Sequence, residues 1–210
     1  MELNRADTPL ESFFNVMISS VVPRPIAWVS TVNAEGQPNL APFSFFNLVC
    51  EKPPTLLFCP SVRGTDGGVK DTYSNVAANG EFVVNLVSEA LAQAMNETAT
   101  EYPPEVNEFE RAGLTAAESR VVTPPRVEES PVSIECKVTE ILTLGDGDLG
   151  SGWVVLGEAH YLHVADDILG DDFRVDLDAF KPIGRLSGRY YARVGDRFEM
   201  QRGKSQLRTE

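Results

Sequence analysis

The chain has 210 residues, is 42% hydrophobic and 23% charged, and carries a formal net charge of -13. Its length is ample for a sizeable core. Its charge argues against a nucleic-acid or anionic-membrane surface, since both need clustered cations to replace counterions. No apolar run of about eighteen residues occurs, so no spanning helix is expected. Met1-Glu2-Leu3-Asn4-Arg5 lacks the basic start and apolar stretch of a secretory signal. Three cysteines (Cys50, Cys59 and Cys136) form no CxxC pair and suit a reducing, cytoplasmic compartment.

The first strand expected is Ile26–Val32, alternating and β-branched, closed by the turn Asn33-Ala34-Glu35-Gly36. Leu56-Leu57-Phe58-Cys59 is apolar throughout, as a strand buried on both faces would be. Asp71 is placed to cap a short helix, Thr72–Ala78, halted by Asn79-Gly80. Glu81–Val87 is a further strand, and Ser88 is placed to cap a helix over Glu89–Asn96. Asn107–Ala112 forms another short helix ending at Gly113. Two long alternating stretches follow, Pro131–Leu142 and Trp153–Val164, joined by the acidic hairpin loop Gly145–Gly152. Strands dominate without regular helices between them, and 14 prolines and 16 glycines supply corners. A β-barrel with short peripheral helices is therefore expected rather than a doubly wound α/β fold.

Charge is unevenly placed. Residues 145–180 hold nine acids against the single Arg174, whereas residues 181–210 hold eight cations against three acids. These stretches read either as surfaces that attract each other or as a source of arginines for an anionic ligand.

The chain offers little inventory for covalent or acid–base catalysis of its own. There is no GxSxG elbow. His160 and His163, the only histidines, are expected on opposite faces of one strand, so no shared metal and no catalytic residue is assigned. A cofactor is the natural source of reactivity. The cysteines read as core residues. Walker and GxGxxG loops are absent. Gly67-Gly68-Val69-Lys70-Asp71-Thr72 instead brings a glycine loop, an ammonium and a hydroxyl to a helix start, a combination able to hold phosphate. The same residues also suit an ordinary helix start after a flexible loop. Asn39-Leu40-Ala41-Pro42-Phe43-Ser44-Phe45-Phe46-Asn47 mixes apolar walls with fixed donors, as a flat heteroaromatic ring requires, or forms a core strand with polar ends. Pro23-Arg24-Pro25 presents one arginine before the first strand.

In order and spacing, Pro23–Thr31, Asn39–Asn47, Pro53-Pro54, Lys70-Asp71-Thr72 and Glu81–Val87 resemble the flavin reductase-like, FMN-binding split-barrel proteins, especially the flavoredoxin branch. The likeness continues through Met95–Thr98, Glu108–Leu114 and Glu129–Cys136 and covers about residues 12–195. It implies a mainly β, Greek-key split barrel in a single domain, with a basic tail over 196–210. It also implies a homodimer holding FMN noncovalently near the subunit interface. The flavin is expected against Ser30, Thr31, Asn39, Leu40, Ala41 and Ser44, with Phe46 lining or supporting the pocket. Lys70 and Thr72 are expected at the phosphate, joined by Ser44 and Arg24. The implied activity passes a hydride from NADH or NADPH to flavin N5, with nicotinamide C4 held about 3–3.5 Å from N5. Electrons then go to free flavin, oxygen, a ferric complex or a partner monooxygenase. Some relatives use a late histidine for the nicotinamide. This chain has Gly188-Arg189-Tyr190-Tyr191 there, so an FMN-binding electron carrier is the alternative reading.

Overall fold

The computed structural model describes residues 1–203; part of the expected basic tail, 204–210, lies outside the described residues. In chain order the elements are α1 (Leu10–Ser20), β1 (Ala27–Val32), β2 (Pro38–Phe43), β3 (Phe46–Cys50), β4 (Thr55–Phe58), α2 (Asp71–Asn79) and β5 (Glu81–Leu86). Next come α3 (Ala92–Glu97), α4 (Glu108–Arg111), β6 (Ala116–Ala117), β7 (Arg126–Val127), β8 (Val132–Leu144) and β9 (Gly152–Val164). The last are α5 (Leu177–Phe180), β10 (Ile183–Arg185) and β11 (Tyr191–Arg193).

Seven strands form one antiparallel sheet in the order β2-β1-β5-β8-β9-β4-β3. Its two edge strands, β2 and β3, are consecutive in the chain and separated only by Ser44 and Phe45. A two-residue link cannot span an open sheet, so the sheet must curl until its edges meet. The barrel is thereby closed by chain connectivity, while no ladder joins β2 to β3. This seam organises the candidate site.

Inside the curl pack Ala27, Val29, Phe43, Leu56, Phe58, Phe82, Val84, Cys136 and Val155. Phe58 sits between Phe43 and Phe82, its ring centroid 5.2 and 5.1 Å from theirs, within the range of favourable aromatic pairs. Gly157 lets the wall approach this cluster, because a Cβ there would lie 2.4 Å from the Phe82 ring. Burial pushes the Cys136 thiol far up, so it acts as a small core residue. A second cluster covers the outer face of β1 and β2. There Trp28, Leu40 and Ile26 meet Met95, Phe109 and Ile183, and the Trp28 indole N–H donates to Thr98 Oγ1 at 2.8 Å.

Several local expectations need correction. Lys70, not Asp71, occupies the N-cap of α2, and Asp71 is its first helical residue. Gly80 ends α2 in the left-handed region at φ 71°, where glycine carries no Cβ penalty. The segment after Ser88 splits into a 3₁₀ turn, Glu89–Leu91, and α3, and the Ser88 side chain caps neither. Asn107 stands outside α4 as its cap, accepting from the Phe109 N–H at 3.0 Å. β4 alternates, with Leu56 and Phe58 buried and Thr55 and Leu57 half-buried, so only one face is in the core. Cys50 is exposed rather than core. Helix α1 has no counterpart among the expected elements. None of its residues is buried.

Candidate functional site

Two neighbouring cavities flank β2 and share Pro42, Phe43 and Lys70 as lining. The smaller, of about 90 Å³, lies at the start of α2 and is lined by Asn39, Ala41, Arg63, Lys70, Asp71, Thr72, Glu108 and the 98–102 segment. Its ammonium, guanidinium and hydroxyl groups at a helix start suit a compact oxyanion. The first N–H groups of α2 have no intrahelical acceptor, and the dipole favours an anion there. Thr72 Oγ1 accepts from the Asn39 amide at 2.9 Å, which leaves the hydroxyl proton to donate. Asn39 also reaches Thr31 Oγ1 at 3.4 Å, and Asn75 donates to the same oxygen at 2.9 Å. These bonds fix the side chains before any ligand arrives.

The electrostatics of this cavity are mixed. Lys70 pairs with Glu101 at 3.2 Å, and Thr65 donates a short hydrogen bond to the same carboxylate. Arg63 forms a two-pronged pair with Asp66 at 2.9 and 3.0 Å. The hydrogen bond from Thr65 leads the stabilisation of ionised Glu101, and Lys70 adds to it, so that its carboxyl titrates below the usual range. Glu108, buried at the cavity wall, accepts from the Leu40 N–H at 3.2 Å. Its desolvation outweighs that bond and raises its pKa.

The larger cavity, of about 270 Å³, lies at the seam itself. Pro42, Phe43 and Phe45 supply apolar walls, and Ser44, Ser61 and Ser187 supply hydroxyls. Arg24, Lys70 and Arg185 line it, and among the described residues no carboxylate does. Arg24 is 6% exposed. Its Nη1 donates to Ile18 O and Val21 O, both at 2.8 Å; Nη2 donates to Leu186 O at 3.0 Å, and Nε to Ser44 Oγ at 3.3 Å. The guanidinium thus ties the end of α1 to the β10–β11 hairpin while its charge stays at the cavity.

The expected site residues divide accordingly. Asn39, Ala41, Lys70 and Thr72 meet at the small cavity, while Arg24 and Ser44 meet at the large one. Ser30, Thr31 and Leu40 are fully buried and line neither. Ser30 Oγ donates to Pro125 O at 2.5 Å, and Leu40 packs under Trp28. Phe46 lines a separate apolar cavity beside Leu48 and Ile183. Arg63, Glu101 and Glu108 carry no expected role and Arg185 was expected only as one of the basic-stretch arginines, yet each reaches one of the two cavities. The Arg63 position follows a short strand and precedes the glycine loop, a signal available in Arg63–Lys70. The others come from distant segments. His163 binds Glu135 at 2.6 Å, away from both cavities, and the described residues contain no cluster of three or more metal-ligating acids, histidines or cysteines.

A family model for the flavin reductase like domain matches residues 18–171. An uncharacterized protein of Aquifex aeolicus is 44% identical over 194 residues, covering 92% of this chain and 96% of that protein. Nitrilotriacetate monooxygenase component B from Bacillus cereus is similar in structure, with a TM-score of 0.89 and 34% identity over 95% of this chain and 98% of its own. A putative flavin reductase with a split barrel domain from Shewanella frigidimarina has a TM-score of 0.81 at 20% identity, covering 97% of this chain and all of its own. The chain therefore belongs to the flavin reductase-like family, as a flavin oxidoreductase built on a split β-barrel.

Proposed function

We propose that the protein binds FMN noncovalently across the two cavities and accepts a hydride from NADH or NADPH for delivery to an acceptor. The carrying observation is the pair of cavities sharing Lys70, one at a helix start and one larger with aromatic and hydroxyl walls. Lys70, Thr72, Asn39 and Arg63 hold the phosphate; Pro42, Phe43, Ser44 and Ser61 face the ring. This donor set fits the cofactor. FMN, when bound, supplies the two-electron chemistry at its N5. The chain's part is to orient. Asn39 fixes Thr72 for donation, Phe43 and Phe45 exclude water from the ring, and hydroxyls at the seam donate to its polar edge.

We read residues 1–210 as one domain, acting in the cytoplasm as a homodimer. Phe14, Met17 and Val21 of the α1 region and Leu48 and Val49 of β3 are exposed apolar side chains that a second copy would cover. The B. cereus relative named as a monooxygenase component supports a partner monooxygenase as acceptor; free flavin, oxygen and ferric complexes are the small-molecule alternatives. One observation favours the electron-carrier reading: neither histidine lines either cavity, so no imidazole is at hand for a nicotinamide. Anaerobic addition of NADH or NADPH to the FMN-loaded protein separates the two. Bleaching of the flavin bands within seconds is expected for the reductase. Bleaching by dithionite but by neither nucleotide would leave the carrier.

A further inference from the structure

The larger cavity concentrates positive charge in a protein whose formal charge is -13. Arg24 and Arg185 face each other across an isolated antiparallel bridge, with Arg24 N–H on Arg185 O at 2.9 Å and Arg185 N–H on Arg24 O at 2.8 Å. Directly opposed residues of such a pair send their side chains to the same side. Among the described residues neither guanidinium has an ion-pair partner. Other arginines also lack an ion pair, but Arg24 and Arg185 alone among the arginines line the larger cavity. Like charges placed side by side repel, and here burial adds to the cost. Burial first, and then the adjacent charge of Arg185, hold the Arg24 guanidinium below its ordinary value.

Arg24 is occupied by its carbonyl acceptors, so its position is structural. Arg185 is held within its own hairpin turn instead. It is half-buried, its Nη atoms reach Gly188 O at 2.5 Å and Tyr190 O at 3.3 Å within its own hairpin turn, and its charge lies 4.7 Å from the Tyr191 ring centroid. Those contacts hold it in place without neutralising it.

We propose that Arg185, backed by Arg24, is an electrostatic residue that favours negative charge on the ligand's ring end: it stabilises the anionic, two-electron-reduced flavin over the oxidised form. This rests on the reading that the ring occupies the larger cavity. A flavin gains negative charge on its ring on reduction, so a cation lining the ring's cavity would favour the reduced state over the oxidised one. The cation is fixed in advance by the hairpin, so little reorganisation accompanies reduction.

The test is the two-electron midpoint potential of bound FMN in wild type, Arg185→Met and Arg185→Lys, with FMN affinity measured alongside. Arg185→Met is expected to lower the preference for reduced over oxidised flavin about tenfold, a fall of about 30 mV. Arg185→Lys keeps the charge but not the two carbonyl bonds, and should stay close to wild type. A potential unchanged in Arg185→Met while FMN remains bound overturns this proposal and leaves the flavin reading intact. An equal fall in both variants assigns Arg185 to hairpin support and also overturns it. Wild-type protein that binds no FMN overturns both.

Discussion

Lys70 already has an anionic neighbour, Glu101, at 3.2 Å, and a phosphate arriving at the start of α2 must share the ammonium with it. Both side chains are about a quarter exposed, a setting in which ion pairs are worth about 1 kcal/mol or less. Glu101→Gln should therefore tighten FMN about threefold to fivefold and leave riboflavin, which lacks the phosphate, unchanged; titration by flavin fluorescence reads both. An equal gain for riboflavin would place the effect on the loop rather than on the phosphate. Lys70 and Thr72 were legible in the sequence because a glycine loop, a cation and a hydroxyl stand together at a helix start. Glu101, Glu108 and Arg185 were not, since each reaches the cavities only through barrel closure and the return of the β10–β11 hairpin. Ser30 and Leu40 show the converse limit. They lie on the right strands, but alternation turns both toward the Trp28 side.

At the scale of elements, strand order turns on a few buried polar joints. Glu135 on β8 is fully buried and accepts from the Arg120 and Val121 N–H groups at 2.7 and 2.6 Å and from His163 on β9 at 2.6 Å. Burial alone would raise its pKa, but these three donors together lower it. A depressed folded pKa means the carboxylate contributes stability above its unfolded value, near 4.3, and that contribution fades as pH falls through the folded value. Glu135→Gln should cost about 1–3 kcal/mol at pH 7, with the difference from wild type shrinking below about pH 4. Denaturant unfolding across pH 3–7 measures it; a constant gap would contradict the assignment. The paired strands themselves were readable, because β1, β8 and β9 alternate in sequence, β5 is an apolar run, and turns bound them. Helix α1 was not. It follows Pro9 without a side-chain cap and has no basic residue in its last turn, and its position depends on Arg24 bonding Ile18 O and Val21 O.

For the whole molecule, closure by the Ser44-Phe45 link leaves a seam rather than a continuous wall; the larger cavity lies at it and the smaller beside it at the start of α2. The same closure leaves α1 and β3 with apolar side chains in water, Leu48 at 73% exposure and Met17 at 51%. Leu48→Asp together with Met17→Asp should convert a sedimenting dimer into a monomer with an unchanged circular dichroism spectrum. Wild-type protein that sediments as a monomer at micromolar concentration would contradict the homodimer. The acidic and basic stretches expected to attract each other meet in one ion pair among the described residues, Arg197 with Asp178 at 2.6 Å. Arg193 instead pairs with Glu89, and Arg185 turns to the seam. Average charge said nothing of where cations gather, because that depends on which loops the barrel brings together.

In the proposed complex the flavin is held by its phosphate at the start of α2 and by its ring at the seam. The most direct test of this complex is parallel titration of the wild-type protein and the Lys70→Ala/Thr72→Ala variant with FMN and with riboflavin. Wild type is expected to bind FMN at least about tenfold more tightly than riboflavin, since a phosphate bound by charged donors is worth more than about 1.4 kcal/mol. The double variant should lose that preference while keeping its riboflavin affinity. Equal wild-type affinity for the two flavins, or an FMN affinity untouched by the double substitution, would contradict the account.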